Sequence, residues 1–207
     1  MFSYTEPIDR RFGITSVVCG VISLVFCSVG IALPTWYVAR DQNNEILSTA
    51  NYFYTCFIEN GTSMCASYSS YRCVSIVNDE SGPGCENPHY SLIEYGSPVS
   101  HVPMGDIQRL RSAAGLSIMG IIFIFFAVLL TLLMSIILIH QLFTFIPPLA
   151  FFLAGLSLMA ALADGSGALK CSETGFILFV TGILLTWLAL LFSAFTAGRL
   201  HLSARNQ

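Results

Sequence analysis

Long apolar runs alternate along this chain with shorter polar segments. No Asp, Glu, Lys or Arg occurs in residues 12–39, 112–163 or 174–198. A helix needs roughly 20 apolar residues to cross a bilayer, so the outer two runs predict one membrane-spanning helix each and the middle run predicts two. Pro147 and Pro148 suit the first turn of a helix, which puts the intervening turn at about residues 140–144. The pattern therefore predicts helices at about residues 12–37, 113–139, 145–162 and 175–198.

The composition agrees with a membrane protein. Hydrophobic residues make up 55% of the chain, charged residues make up 10%, and the mean hydropathy is +0.72. A soluble domain of 207 residues does not need that balance for its core. The apolar run that follows Arg10 and Arg11 is longer than the roughly 7 to 15 residues of a signal-peptide core, so we expect it to be retained as a helix.

One long polar stretch, at about residues 40–111, is expected to carry most of the function, and a short one spans about residues 164–173. Basic residues do not decide the orientation of the chain, because four lie at the termini and five lie in these two loops. The long loop contains four cysteines and an N-glycosylation acceptor sequence, Asn60-Gly61-Thr62, which indicate an oxidising compartment. We therefore expect a multi-pass plasma-membrane protein with both termini in the cytoplasm.

The Asn60-Gly61 pair is a strong signal for a two-residue β-hairpin turn, and β-favouring residues flank it. Residues at equal distances from such a turn face each other, so Cys56 faces Cys65. The alternation of pairs places the two cysteines at a non-hydrogen-bonded position, where side chains lie closest. The sequence thus predicts a Cys56–Cys65 disulfide, with a glycan on Asn60 at the tip of the hairpin.

Three further cysteines lie outside the membrane spans. Cys73 and Cys85 enclose a turn-rich acidic segment and are expected to pair, because the hairpin uses the other two cysteines of the loop. Four cysteines allow three connectivities, and composition does not choose among them. Cys171 in the short loop is then left over, as either a structural thiol or a covalent link to a partner.

Two predicted helices carry small residues at helical spacing. Small side chains allow the close backbone approach by which helices pack in lipid, where the hydrophobic drive between helices is weak. These stripes either pack within this chain or dock the helix of a partner. Their members are Ser16, Gly20, Ser23, Cys27 and Gly30 in the first helix, and Ala150, Ala154, Ser157 and Ala161 in the third.

The sequence has few of the residue patterns expected of an enzyme, a pump or a nucleic-acid-binding protein. Apart from His140 at a helix end, no charged or histidine side chain lies in the predicted spans. The four histidines are scattered, and neither C-x-x-C nor H-E-x-x-H occurs. We therefore expect no catalytic site, no metal, no cofactor and no nucleic-acid partner.

Several residues resemble the claudin superfamily, which includes claudins, peripheral-myelin-type proteins and gamma-type auxiliary subunits of ion channels. The family signature is a Trp after the first helix, then Gly-Leu-Trp, two cysteines, and an Arg just before the second helix. The residues in those places are Trp36 in Ala32-Leu33-Pro34-Thr35-Trp36, Phe53, Cys56, Cys65, and Arg111 in Ile107-Gln108-Arg109-Leu110-Arg111. Here Asn51-Tyr52-Phe53 stands in place of Gly-Leu-Trp and keeps only its final aromatic residue.

The resemblance implies a single tetraspan domain over residues 1–207. Its fold would be a left-handed bundle of four transmembrane helices with a small antiparallel extracellular β-sheet. Trp36 and Phe53 would anchor that sheet at the membrane edge, although Trp36 alone also fits the ordinary belt of interfacial aromatic residues. The implied function is non-enzymatic and rests on lateral and cell-contact interactions, as at a cell junction or paracellular barrier.

Other features favour an auxiliary subunit bound in cis to an ion channel or receptor. The second outer loop is short, whereas in claudins this loop contributes to contacts with the opposing cell. The tail Ala204-Arg205-Asn206-Gln207 lacks the hydrophobic terminal residue that a PDZ groove captures, so no PDZ scaffold is expected. The expected partners are membrane lipid, further copies of this chain in cis, and a channel or receptor subunit.

Overall fold

A computed structural model describes residues 7–40, 45–59, 62–68, 72–74, 84–86, 102–136, 144–168 and 173–205. Most of these residues belong to four helices: α1 (Pro7–Ala32), α2 (Met104–Ile136), α3 (Ile146–Ala168) and α4 (Thr174–Arg205). Each helix contains a stretch of 22 to 29 residues that is apolar and long enough to cross a bilayer. The predicted class, a mainly helical multi-pass membrane protein, is confirmed.

The helix ends differ from the predicted ones where polar residues continue a helix beyond its apolar run. α2 begins at Met104 rather than near residue 113, since its first turns are amphipathic, with Ile107 and Leu110 buried and Arg109 exposed. For the same reason α3 and α4 continue past the predicted ends. Absence of charge thus marks the lipid-embedded part of a helix rather than the whole helix.

The opposite difference occurs at the end of α1. This helix stops at Ala32, several residues before the predicted end. Pro34 disfavours helical geometry at the residue before it and offers no backbone N–H, so the chain leaves the helix there. The residues that follow enter a strand instead, beginning at Tyr37.

Between α1 and α2 the described residues include seven short strands. They are β1 (Tyr37–Arg40), β2 (Ile46–Ala50), β3 (Tyr54–Glu59), β4 (Thr62–Ser67), β5 (Arg72–Val74), β6 (Gly84–Glu86) and β7 (Val102–Pro103). β1 to β4 form an antiparallel sheet in chain order, as the expected small sheet requires, and β5 to β7 form a second sheet that the sequence did not indicate.

The chain forms two compact units. The bundle unit comprises Met1–Gly30, Ser117–Met159 and Ile177–Gln207. The sheet unit comprises Ile31–Leu116 and Ala160–Phe176, and so contains the strands and the adjoining helix ends.

In the bundle unit, α1 and α4 are joined by hydrogen bonds from two buried serines. The Ser16 hydroxyl donates to the carbonyl oxygen of Ala189 at 2.9 Å, and the Ser23 hydroxyl donates to that of Gly182 at 2.7 Å. The Thr186 hydroxyl lies 2.7 Å from the Ser23 hydroxyl. Residue numbers rise on one helix as they fall on the other, so the two helices are antiparallel. Such bonds satisfy polar groups where lipid and helix packing leave no water.

The small-residue stripe of α1 packs inside the bundle unit, since all five of its members are buried. A Cβ on Gly20 would lie 2.5 Å from Cγ2 of Val128 and 3.1 Å from the ring of Phe151. A Cβ on Gly182 of α4 would lie 2.5 Å from Sγ of Cys27. Of the two alternatives for this stripe, the structure shows packing within the chain.

The stripe of α3 also lies against its own chain. Its central residue Ala154 and its last residue Ala161 are buried, while Ala150 and Ser157 are half-buried. Beside it, a Cβ on Gly155 would lie 3.0 Å from the ring of Trp187 in α4. Small side chains on α3 therefore admit the largest side chain of α4.

We predict that Gly20→Ala destabilises the bundle by about 1–3 kcal/mol, because the added methyl group overlaps a Val128 methyl group and meets the Phe151 ring in a packed interior. Thermal unfolding of the purified protein in detergent checks this. Gly198→Ala in α4 is the matched control, since no atom lies within 4 Å of its added methyl group. Equal melting temperatures for the two variants would contradict the packing described for α1.

Candidate functional site

The strands β3 and β4 pair in the predicted register. Glu59 pairs with Thr62, and Cys56 lies directly opposite Cys65. The two cysteines form a disulfide, with their Cα atoms 4.0 Å apart, so this predicted pairing is confirmed. Cys56 is buried and Cys65 is exposed. Asn60 lies outside the described residues, and its glycosylation stays a prediction.

The second cysteine pair lies on neighbouring strands. In the β5–β6 register, Cys73 stands directly opposite Cys85. Side chains are not described on these strands, so the predicted disulfide between them stays a prediction that the backbone register supports. Cys171 lies outside the described residues.

Trp36 is fully buried in the sheet unit, just after α1. Its backbone N–H donates to the carbonyl oxygen of Ala50 at 3.2 Å. Its ring centroid lies 4.3 Å from that of Tyr52, and the Phe176 ring packs edge-on at 6.1 Å. Trp36 is therefore a core residue of the sheet unit. A tryptophan of the interfacial aromatic belt does not need to be buried in this way.

The ring that packs on Trp36 belongs to Tyr52, one residue before the predicted Phe53. Tyr52 is 1% exposed, whereas Phe53 is half-buried. Phe53 contributes through its backbone, since its carbonyl oxygen accepts hydrogen bonds from the N–H of Tyr68 at 2.9 Å and from the Ser67 hydroxyl at 3.3 Å. The structure thus pairs the Trp36 ring with Tyr52, because the tight turn at Asn51 directs the next side chain inward. The expected role of Phe53 with Trp36 as an anchor of the sheet at the membrane stays a prediction.

Asn51 holds that turn and also reaches the end of α1. Its side-chain oxygen accepts hydrogen bonds from the N–H groups of Phe53 at 2.8 Å and Tyr54 at 3.0 Å. Its side-chain NH₂ donates to the carbonyl oxygens of Ile31 and Leu33, each at 3.3 Å. The residue is fully buried, so these bonds satisfy an amide that would otherwise be costly to remove from water.

Tyr54 completes the same contact. Its hydroxyl donates to the carbonyl oxygen of Ala32 at 3.0 Å. Three consecutive carbonyl groups at the end of α1 therefore accept hydrogen bonds from side chains at the β2–β3 connection. Because the last carbonyl groups of a helix have no partner within it, these side chains cap α1.

Arg111 lies within α2 rather than just before it, because α2 begins at Met104, and it is bonded to the sheet. Its guanidinium donates to the carbonyl oxygen of Tyr68, just after β4, at 2.8 Å. One residue on, the Ser112 hydroxyl donates to the carboxylate of Asp164 in α3 at 2.9 Å. The start of α2 is thus bonded both to the sheet and to α3.

Gly165 of α3 lies directly against Tyr52. A Cβ at this position would overlap the Tyr52 ring at Cε1, Cζ and the hydroxyl oxygen. Since Tyr52 is itself packed on Trp36, its ring has no room to retreat. Only glycine allows this approach of α3 to the sheet.

The described part of the site has the features of a rigid scaffold. Within it, no group of three or more His, Cys, Asp or Glu residues is placed to hold a metal ion. Its exposed residues include all of β4 except Ala66, and Ile46 and Leu47 at the start of β2. A sheet that presents both short polar side chains and exposed apolar ones, such as Leu47 and Met64, is suited to binding another macromolecule.

Sequence reasoning missed three residues of this site: Asn51, Tyr52 and Gly165. Asn51 and Tyr52 stand where the family signature has Gly and Leu, so the comparison with that signature treated them as departures. Gly165 lies in a Gly-Ser-Gly segment typical of a loop, yet it belongs to α3. Only the long-range contacts give these residues their roles.

No protein-family model matches this chain, and no curated protein matches it. The class that the fold and the site define is a four-helix membrane protein with a disulfide-linked antiparallel sheet. The functional interpretation of this protein therefore rests on the geometry of its fold and site.

We predict that Gly165→Ala breaks the packing of Tyr52 on Trp36 and destabilises the protein by about 1–3 kcal/mol or more, because its methyl group overlaps a buried ring. In a Trp187→Phe background the fluorescence reports Trp36 alone, and its emission should shift to the red as water reaches the indole. Gly167→Ala is the control, since its methyl group meets only the movable end of the Arg109 side chain, at 3.0 Å. An unchanged emission spectrum in Gly165→Ala would contradict this contact.

Proposed function

We propose that this protein is a non-enzymatic, claudin-like plasma-membrane protein that acts by lateral and cell-contact interactions, of the kind found at junctions and paracellular barriers. The observation that carries the proposal is the β1–β4 sheet, stapled by the Cys56–Cys65 disulfide and bonded through Asn51 to the end of α1. A sheet fixed in this way presents a constant surface to a partner, which lowers the entropy lost on binding.

The disulfide supports an extracellular position for the sheet, since disulfides persist in oxidising compartments. The chain enters and leaves the sheet unit through helices long enough to span a bilayer. With four spans, both termini then lie in the cytoplasm. A glycan on Asn60, at the turn between β3 and β4, agrees with this orientation.

Co-culture imaging tests the proposed function. A tagged copy is expressed in cells that lack junctions, and these cells are mixed with untransfected cells. We expect the protein to collect where two expressing cells touch and to be less abundant where an expressing cell touches an untransfected one. Uniform surface signal at both kinds of border would contradict recognition between cells.

A second candidate function is that of an auxiliary subunit bound in cis to a channel or receptor. One observation favours it: α3 ends at Ala168 and α4 begins at Thr174, so little chain is left there to reach an opposing cell. The stripe of α1 is buried and that of α3 is partly buried, which leaves such a partner the sheet surface and the outward helix faces. Uniform surface signal together with a channel or receptor subunit recovered by crosslinking would support this function.

We predict that Cys56→Ser lowers the free energy of unfolding by roughly 2 to 5 kcal/mol and causes retention in the secretory pathway, because the hairpin loses its staple. Surface biotinylation of transfected cells measures delivery. Cys19→Ser is the matched control, since Cys19 is a free, half-buried cysteine of α1. Normal surface delivery of Cys56→Ser would count against the role given to the disulfide.

A further inference from the structure

All basic residues of the bundle unit lie at the start of α1 and the end of α4. They are Arg10, Arg11, Arg199 and Arg205. The acidic residues of this unit are Glu6 and Asp9, so positive charge predominates. These positions lie at opposite ends of the chain, and only the fold brings them together.

Aromatic packing sets the two helix ends side by side. The Phe12 ring stacks on that of Phe192 at 6.2 Å and lies 6.4 Å from that of Phe195. Arg11 adjoins Phe12, and Arg199 follows Phe195 by one helical turn on the same face of α4. Both arginines are exposed. Because the helices are antiparallel, Arg199 continues from the phenylalanine cluster toward the first turn of α1.

The α2 and α3 part of the bundle unit carries no formal charge. Residues 117–159 of the sequence contain no Asp, Glu, Lys or Arg. A general preference for basic residues on one side of the membrane does not explain why the basic residues of this unit lie only on α1 and α4.

We propose that the paired ends of α1 and α4 bind the headgroup of an anionic phospholipid, with Arg11 and Arg199 as its main contacts. A guanidinium group keeps its positive charge at any physiological pH, and this charge attracts the phosphate of a lipid headgroup. The neighbouring surface of α4 suits a lipid rather than a free anion, because Leu191 and Phe195 are 56% and 63% exposed and lie about two turns and one turn before Arg199. The lipid's acyl chains pack on these side chains while its phosphate contacts the arginines.

The inference rests on the proposed function in one respect only, namely which leaflet contains the bound lipid. In the proposed orientation this is the cytoplasmic leaflet. The experiment uses the full chain in nanodiscs of phosphatidylcholine with a minor fraction of phosphatidylserine, so both leaflets contain the probe lipid. Native mass spectrometry then counts the phosphatidylserine that stays bound when the protein is released. A failure of the cell-contact experiment therefore does not affect this result.

Arg11→Gln with Arg199→Gln should reduce retention of phosphatidylserine relative to phosphatidylcholine by about thirty-fold, since each basic residue near the headgroups contributes roughly 1 kcal/mol. Arg11→Lys with Arg199→Lys should keep most of the preference, because the charge remains. The matched control is Arg40→Gln with Arg109→Gln, which removes the same charge from the sheet unit and should leave the preference unchanged.

Full retention in the first variant would overturn the proposal, as would an equal loss in the control pair, which would indicate diffuse attraction to net charge. Loss in the lysine variant would also overturn the electrostatic basis. Competition by soluble glycerophosphoserine that removes the bound lipid would identify a site for a free anion instead. Unchanged surface delivery of the glutamine variant shows that the fold is intact.

Discussion

The unpaired carbonyl groups at the end of α1 impose the constraint on which the sheet unit depends. A helix that ends near a membrane surface leaves its last carbonyl groups without a partner, and Pro34 cannot supply an N–H. Asn51 and Tyr54 satisfy three of these groups from a later part of the chain. Because Asn51 also forms the turn before β3, the end of the helix and the fold of the sheet are stabilised together.

The aromatic packing in the sheet unit follows from this turn. It directs Tyr52 inward onto Trp36, and Gly165 approaches the hydroxyl end of the same ring. The disulfide has a different role, because Cys56 and Cys65 lie on strands that are already paired by backbone hydrogen bonds. Its contribution is mainly to restrict the unfolded chain, whereas Asn51 and Tyr52 determine which folded arrangement forms.

Sequence reasoning succeeded where a signal was local. The absence of charge located the membrane spans, and the Asn60-Gly61 turn fixed the register that pairs the cysteines. It missed contacts between residues that are distant in sequence. Neither the packing of Tyr52 on Trp36 nor the hydrogen bond from Asn51 to Ile31 leaves a periodic pattern in the sequence. The true start of α2 was missed because its first turns contain charged residues. A prediction that places the helix boundary at the last charged residue assigns such amphipathic turns to the preceding loop. Whether a small-residue stripe faces the interior of the bundle or the lipid depends on how all four helices pack. It could therefore be determined only from the structure.

The hydrogen bonds between α1 and α4 join the first and last helices of the chain, and this has a consequence for biosynthesis. When α1 enters the membrane, the acceptors for Ser16 and Ser23 on α4 have not yet been translated. A serine hydroxyl in a helix can bond meanwhile to a carbonyl oxygen one turn earlier in the same helix. The final pairing therefore exchanges partners within the bilayer only after α4 has been translated and inserted, so the bundle closes in a later step than the insertion of α1.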